Sequence, residues 1–161
     1  MLKLQSSDGQ IFTVDAATVK QMVTIQRMIE DLGDEDSDEV TPVPTVKGKV
    51  LERIIQWTEY HEIDHEKTEK IAWYTQYFNI DLKKKFEIII AADYLEVESL
   101  LNESCRNVLI NNKWETIENA ASGFYDPTLM NLLQKYEVKH GYKVIVTIQK
   151  NKHLKYLDTK V

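Results

Sequence analysis

The pattern in this chain that most resembles catalytic machinery is His61-Glu62-Ile63-Asp64-His65. Two imidazoles four residues apart on one helix face can grip zinc, and the glutamate between them can activate a water. The surroundings argue against that chemistry. The motif falls where a helical apolar pattern gives way to charge, and no second motif supplies a third ligand. His140 and His153 lie far along the chain, at a helix end and in the tail. The expectation is a solvated helix end without metal.

Other chemistry fares no better. There is no G-x-S-x-G elbow, and the five glycines form no phosphate-cradling loop. Cys105 sits on an apolar stripe with no nearby histidine to activate it, so it reads as a small core residue. The acids between Asp34 and Glu39 lack the glycine and terminal glutamate of a calcium loop. These absences favour a binding protein over an enzyme, with no cofactor and no small-molecule substrate.

The elements that would carry a binding surface centre on Asp81 to Asn111. Phe86, Ile89, Ile90 and Tyr94 recur at helical spacing, and so do Val97, Leu100, Leu101, Cys105, Val108 and Leu109 after a break near Glu96. Asp81 is an N-cap, and Ala91 and Ala92 leave room for another helix. Upstream, Leu2 to Gln5 and Ile11 to Val14 flank a Ser7-Asp8-Gly9-Gln10 turn and predict a hairpin. Asp15 caps a short helix to Lys20, and a second runs from Thr24 with Ile25, Met28, Ile29 and Leu32 on one face, ended by Gly33. Gly33 to Thr41 is acidic and reads as a mobile loop, and Pro42-Val43-Pro44 as a short edge strand. A helix from about Lys49 buries Val50, Leu51, Ile54, Ile55 and Thr58. His61 to Lys70 is a charged connection, and Ile71 to Phe78 a short helix.

Beyond Asn111, Trp114 to Ala121 predicts a helix ending near Gly123. Asp126-Pro127 starts another, with Leu129, Leu132, Leu133 and Tyr136 on its apolar side and Gly141 as its end. Tyr142 to Ile148 alternates as a strand needing a partner, and Lys150 to Val161 is a polar tail.

Length and charge bound the reading. The chain's 161 residues suffice for one domain plus an extension, and 43% hydrophobic with 29% charged residues is ordinary for a soluble globular protein. No apolar run reaches the roughly 20 residues needed to cross a bilayer, and MLKLQSSDGQ lacks a signal peptide's apolar core. With one cysteine, a reducing cytoplasmic or nuclear location is expected, with no membrane partner. The net charge of −6 is uneven. An acidic body does not suit phosphate backbones, so nucleic acid is not expected as a partner; only the basic tail after Lys139 could touch it.

The series Lys3 to Phe12, Thr24-Ile25 with Met28 to Gly33, Pro42-Val43-Pro44, Ile54 to Trp57, and Phe86 to Leu95 with Leu100, Leu101 and Cys105 resembles the S-phase-kinase-associated (Skp) adaptor family of Skp–cullin–F-box ubiquitin ligases. The resemblance covers roughly residues 2–111. It implies an α+β, BTB/POZ-type fold, a small sheet packed on a helical cluster, at 1–111. Divergent C-terminal helices follow at 112–141, with an extra strand and basic tail at 142–161. It implies a non-catalytic adaptor linking a cullin to an F-box protein for ubiquitin-dependent degradation. Pro42, Val43, Pro44, Asp93 and Tyr94 match the cullin side, and Asp93 replaces the family's usual Asn. The F-box side would take Leu101, Cys105, Val108, Leu109, Ile117, Phe124 and Leu133, of which the first four equally fit a core role. Tyr74 stands where the family has an acid beside Trp73. Gln134-Lys135-Tyr136-Glu137 replaces the family's basic–acidic–amide series, and no tryptophan follows it. Two alternatives remain: a cullin-binding subunit with a repurposed C-terminus, and a self-associating BTB-like interaction protein.

Overall fold

The computed structural model describes residues 1–32, 38–124 and 126–139, together with the backbone of 140, 142–144, 147–148, 154–155 and 158–160. Strands β1 (Leu2–Gln5) and β2 (Ile11–Val14) form the antiparallel hairpin, with Leu2 opposite Val14 and Gln5 opposite Ile11. Gly9 takes φ 88° in the turn, a conformation that glycine reaches without a Cβ penalty. Strand β3 (Val40–Pro42) joins β1 in parallel, giving the order β2-β1-β3. The edge strand thus lies two residues earlier than Pro42 to Pro44. Val43 follows it and donates its backbone N–H to the Gln5 carbonyl at 2.8 Å. Of the acidic loop, residues 33–37 lie outside the described residues.

Helix α1 (Ala16–Lys20) starts where expected, with Thr18 N donating to the Asp15 carboxylate at 2.8 Å. Helix α2 spans Val23–Leu32; Leu32, expected on its buried face, is exposed at its end. Helix α3 (Gly48–Tyr60) has no side-chain cap of its own at Lys47, but Asp8 of the hairpin turn accepts from Gly48 N at 2.8 Å. Serine 6 and Gly48 both donate to Asp8 and hold its carboxyl below the ordinary value.

Helix α4 spans Lys67–Tyr77, one turn earlier than Ile71. Its first turn is polar, so hydrophobic periodicity could not mark it. Helix α5 (Leu82–Leu95) opens on Asp81, which accepts from Lys84 N at 2.9 Å. Helices α6 (Glu98–Asn111), α7 (Trp114–Phe124) and α8 (Pro127–His140) complete the helical part. Asp126 accepts from Thr128 N at 2.9 Å, and Pro127 occupies the first helical position, where its missing N–H costs nothing.

Two apolar cores lie on either side of α5. Ile88, Ala91, Ala92 and Leu95 face the first core with the sheet, α2 and α3. Phe86 and Ile89 face the second with Cys105, Val108, Ile117, Leu129, Leu133 and Tyr136. The sequence suggested one apolar stripe on α5, whereas both flanks are buried. The α3 helix likewise buries Trp57, fully enclosed, beyond its expected stripe.

The described parts of the 142–148 stretch are two short strands in separate sheets. Strand β4 (Tyr142–Val144) pairs antiparallel with β7 (Asp158–Lys160), and β5 (Thr147–Ile148) with β6 (Leu154–Lys155). The partner sought for the new strand is therefore the segment read as a polar tail. Gly141 and residues 145–146 lie outside the described residues.

Candidate protein-interaction site

The turn between α5 and α6 is held from three directions. Glu96 takes a left-handed φ of 53°, which closes α5 through Glu96 N to the Asp93 carbonyl at 3.2 Å and Val97 N to the Ala92 carbonyl at 2.9 Å. From α2, Thr24 Oγ1 donates to the Tyr94 carbonyl at 2.7 Å, and Arg27 pairs with Glu96 at 2.9 Å. From α3, Trp57 Nε1 donates to Ser99 Oγ at 3.0 Å. The Arg27–Glu96 pair is exposed and contributes little stability. The buried apolar residues beneath the turn, Leu95, Val97 and Leu100, provide most of the hold.

This clamp leaves Asp93 and Tyr94 half-buried at the surface. Both line a cavity of about 580 Å³ with Val50, Ile90, Phe124 and Asp126. Pro42 and Pro44 are exposed on either side of Val43, which is fully buried in the first core and offers a partner no surface. The loop just after them, Thr45 to Lys47, reaches the same cavity.

Of the F-box candidates, Leu101 and Cys105 line a second cavity of about 290 Å³, which also contains Asp93, Leu132 and Tyr136. An exposed Glu98–Lys139 pair at 3.4 Å joins two lining residues across it, from α6 to α8. Cys105, Val108, Ile117 and Leu133 are buried in the second core, which is where their hydrophobic spacing is used. Leu109 is half-buried against that core. Phe124 stands edge-on to Phe86 at 5.7 Å and borders the Asp93–Tyr94 cavity rather than the Leu101–Cys105 one. Glu87, Ile90 and Ala91 were not singled out from the sequence as contacts. With Tyr94 they follow an i, i+3, i+4, i+7 pattern, the one signal that could have found them.

The zinc-like motif is used structurally. It lies just past the end of α3, whose last residue is Tyr60, so the histidines do not share a helix face. His61 is not solvated: its ring stacks on Trp57 at 4.2 Å. His61 Nδ1 donates to the Trp57 carbonyl and Nε2 accepts from Tyr74 Oη, both at 2.7 Å, which satisfies the neutral imidazole. Desolvation lowers its pKa, and it raises that of Tyr74 to about 12. Glu62 accepts from Thr18 Oγ1 at 2.6 Å, and His65 stacks on Tyr60 at 3.9 Å. Burial, with Asp93 adding its charge, pushes the Cys105 thiol up to about 12, which makes it a poor nucleophile at neutral pH. No group of three or more potential metal ligands occurs among the described residues, and no described helix is long and apolar enough to cross a membrane.

A three-stranded sheet on a helical cluster, extended by α7 and α8 and presenting recessed surfaces beside a clamped helix turn, is the α+β architecture of the BTB/POZ class. Residues 1–63 match the family model described as "Skp1 family, tetramerisation domain". Similar curated proteins include the E3 ubiquitin ligase complex SCF subunit sconC of Neosartorya fischeri and of Aspergillus fumigatus. Each is 37% identical over 116 residues, covering 65% of this chain and 72% of the relative. The chain belongs to the Skp1 family.

Proposed function

We propose that the chain is a non-catalytic adaptor of a cullin-RING ubiquitin ligase, with residues 1–111 as the BTB/POZ body and 112–141 as its helical extension. One surface meets a cullin and another an F-box substrate receptor. The observation that carries this is the clamped α5–α6 turn, which separates a cavity beside Tyr94 from one beside Leu101 on a common rigid support. The relatives named as SCF ligase subunits favour the same role. The mechanism is geometric. Holding a receptor and a scaffold on one body raises the effective concentration of substrate near the ubiquitin-charged enzyme. A location in cytoplasm and nucleus accompanies this role.

The test is a pull-down of the purified chain against cullin N-terminal domains and F-box domains side by side. Capture of both supports the adaptor. Capture of a cullin alone supports a subunit with a repurposed C-terminus, and capture of neither removes the ligase reading. The matched model's description as a tetramerisation domain favours self-association as a second reading. Sedimentation of the purified chain as an oligomer, with no cullin bound, would establish it.

A further inference from the structure

The cavity beside Tyr94 lies at the seam of the two cores. Val50, Ala91 and Tyr94 bring the edge of the first core to it, and Ile90 and Phe124 the edge of the second. Its volume, about 580 Å³, falls in the range of ligand pockets, roughly 300–1,000 Å³. Three acidic residues, Glu87, Asp93 and Asp126, are among its lining residues, against Lys47 as the cationic one, and Asp93 also borders the Leu101–Cys105 cavity. Asp126 accepts from Thr128 N, but the carboxylates of Glu87 and Asp93 make no hydrogen bond or ion pair among the described residues. Asp93 also lies in the last turn of α5, where the final carbonyls add negative potential. Residues 1–139 carry 25 acidic against 15 basic side chains, so the wider field has the same sign.

We propose that this cavity is a docking pocket for one arginine or lysine side chain, carried between apolar residues on a segment of a partner protein. The apolar stem of such a side chain covers Val50, Ile90 and Phe124 while its head meets Asp93 and Glu87. A wholly apolar occupant would strip water from two carboxylates and give them no partner, at a cost that opposes binding. An acidic occupant would be repelled. The proposal deepens the adaptor reading by giving the chemistry of the partner segment that reaches the Asp93–Tyr94 surface.

The experiment titrates the ¹⁵N-labelled full-length chain with acetyl-Leu-Arg-Leu-amide and, separately, acetyl-Leu-Gln-Leu-amide, following amide resonances. The arginine peptide is expected to shift Ala91, Tyr94 and Phe124. Its affinity should exceed that of the glutamine peptide by about tenfold, and should fall by about tenfold in the Glu87→Gln/Asp93→Asn chain. Both substitutions are near-isosteric and lie outside the cores, so the variant should keep the parent melting temperature. Equal binding of the two peptides, undiminished binding by the variant, shifts confined elsewhere, or no shift at all would each overturn the pocket. Changes at 142–160 in the variant without peptide would assign the pocket to the chain's own basic tail and overturn the partner assignment. The peptide titration uses no cullin, so it stands if the adaptor reading fails. Conversely, cullin affinity unchanged by the double substitution would overturn the pocket and leave the adaptor intact.

Discussion

Thr24 Oγ1 reaches across from α2 to the main-chain carbonyl of Tyr94 at 2.7 Å, beside the last turn of α5. A single hydroxyl thus fixes the backbone of a residue whose ring forms part of the exposed site. The same oxygen lies 3.2 Å from Glu96, but its one hydrogen serves the shorter contact. Replacing Thr24 by Val keeps the shape and removes the donor. Stability should fall by about 1 kcal/mol, which for a domain of this size lowers the melting temperature by about 2–4 °C. Differential scanning calorimetry reads this directly, and an unchanged transition would mean that the bond contributes nothing to the clamp.

Tyr94→Ala separates the ring from this scaffold. The Thr24 bond goes to the backbone and survives the substitution. Removing the half-buried ring should weaken cullin binding by about 2 kcal/mol or more, roughly 30-fold, as for an aromatic hot spot. Circular dichroism should remain that of the parent. Undiminished cullin affinity, measured by calorimetry, would remove Tyr94 from the interface.

His61 should make stability fall on mild acidification. Desolvation holds its folded pKa below the ordinary 6.5, and Lys70 and His65 oppose its protonation further. The unfolded chain therefore takes up the proton first. Stability is fully present above about pH 6.5 and is lost as pH falls from there through the folded pKa. Urea unfolding at pH 7.5 and pH 5.5 should show a larger acid loss for the parent than for His61→Gln. Equal losses would assign the pH dependence to other groups.

Leu133, fully buried on α8, tests the second core. Leu133→Ala removes its buried methyl groups and leaves a cavity, with an expected cost of about 2–5 kcal/mol. Urea denaturation should show that loss in the absence of any partner. A variant as stable as the parent, but deficient in F-box binding, would make Leu133 a contact rather than a core residue.

The parts of this fold written locally were legible. Asp15 and Asp81 cap their helices through bonds to residues three positions on, and Asp126-Pro127 marks a helix start from sequence alone. Contacts that depend on distant segments were not. Asp8 caps α3 from forty residues away, and His61 is covered by Trp57 and by Tyr74 of α4. No local pattern announces either. Val43 sits between two exposed prolines and reads as surface, but its backbone bond to Gln5 places it inside the first core. Among the site residues, Tyr94 and Asp93 emerged from resemblance. Glu87 and Phe124 meet only once α7 and α8 fold back against α5. Cys105, Val108, Ile117 and Leu133 share the apolar spacing of both a core and an interface, and spacing alone cannot separate the two.

The most direct measurement of the central claim is the mass, by size-exclusion chromatography with light scattering, of the purified chain mixed with a cullin N-terminal domain and an F-box domain. A two-faced adaptor predicts one species containing one copy of each. Separate elution of all three components, or of a binary complex that excludes the third under every order of addition, would contradict it.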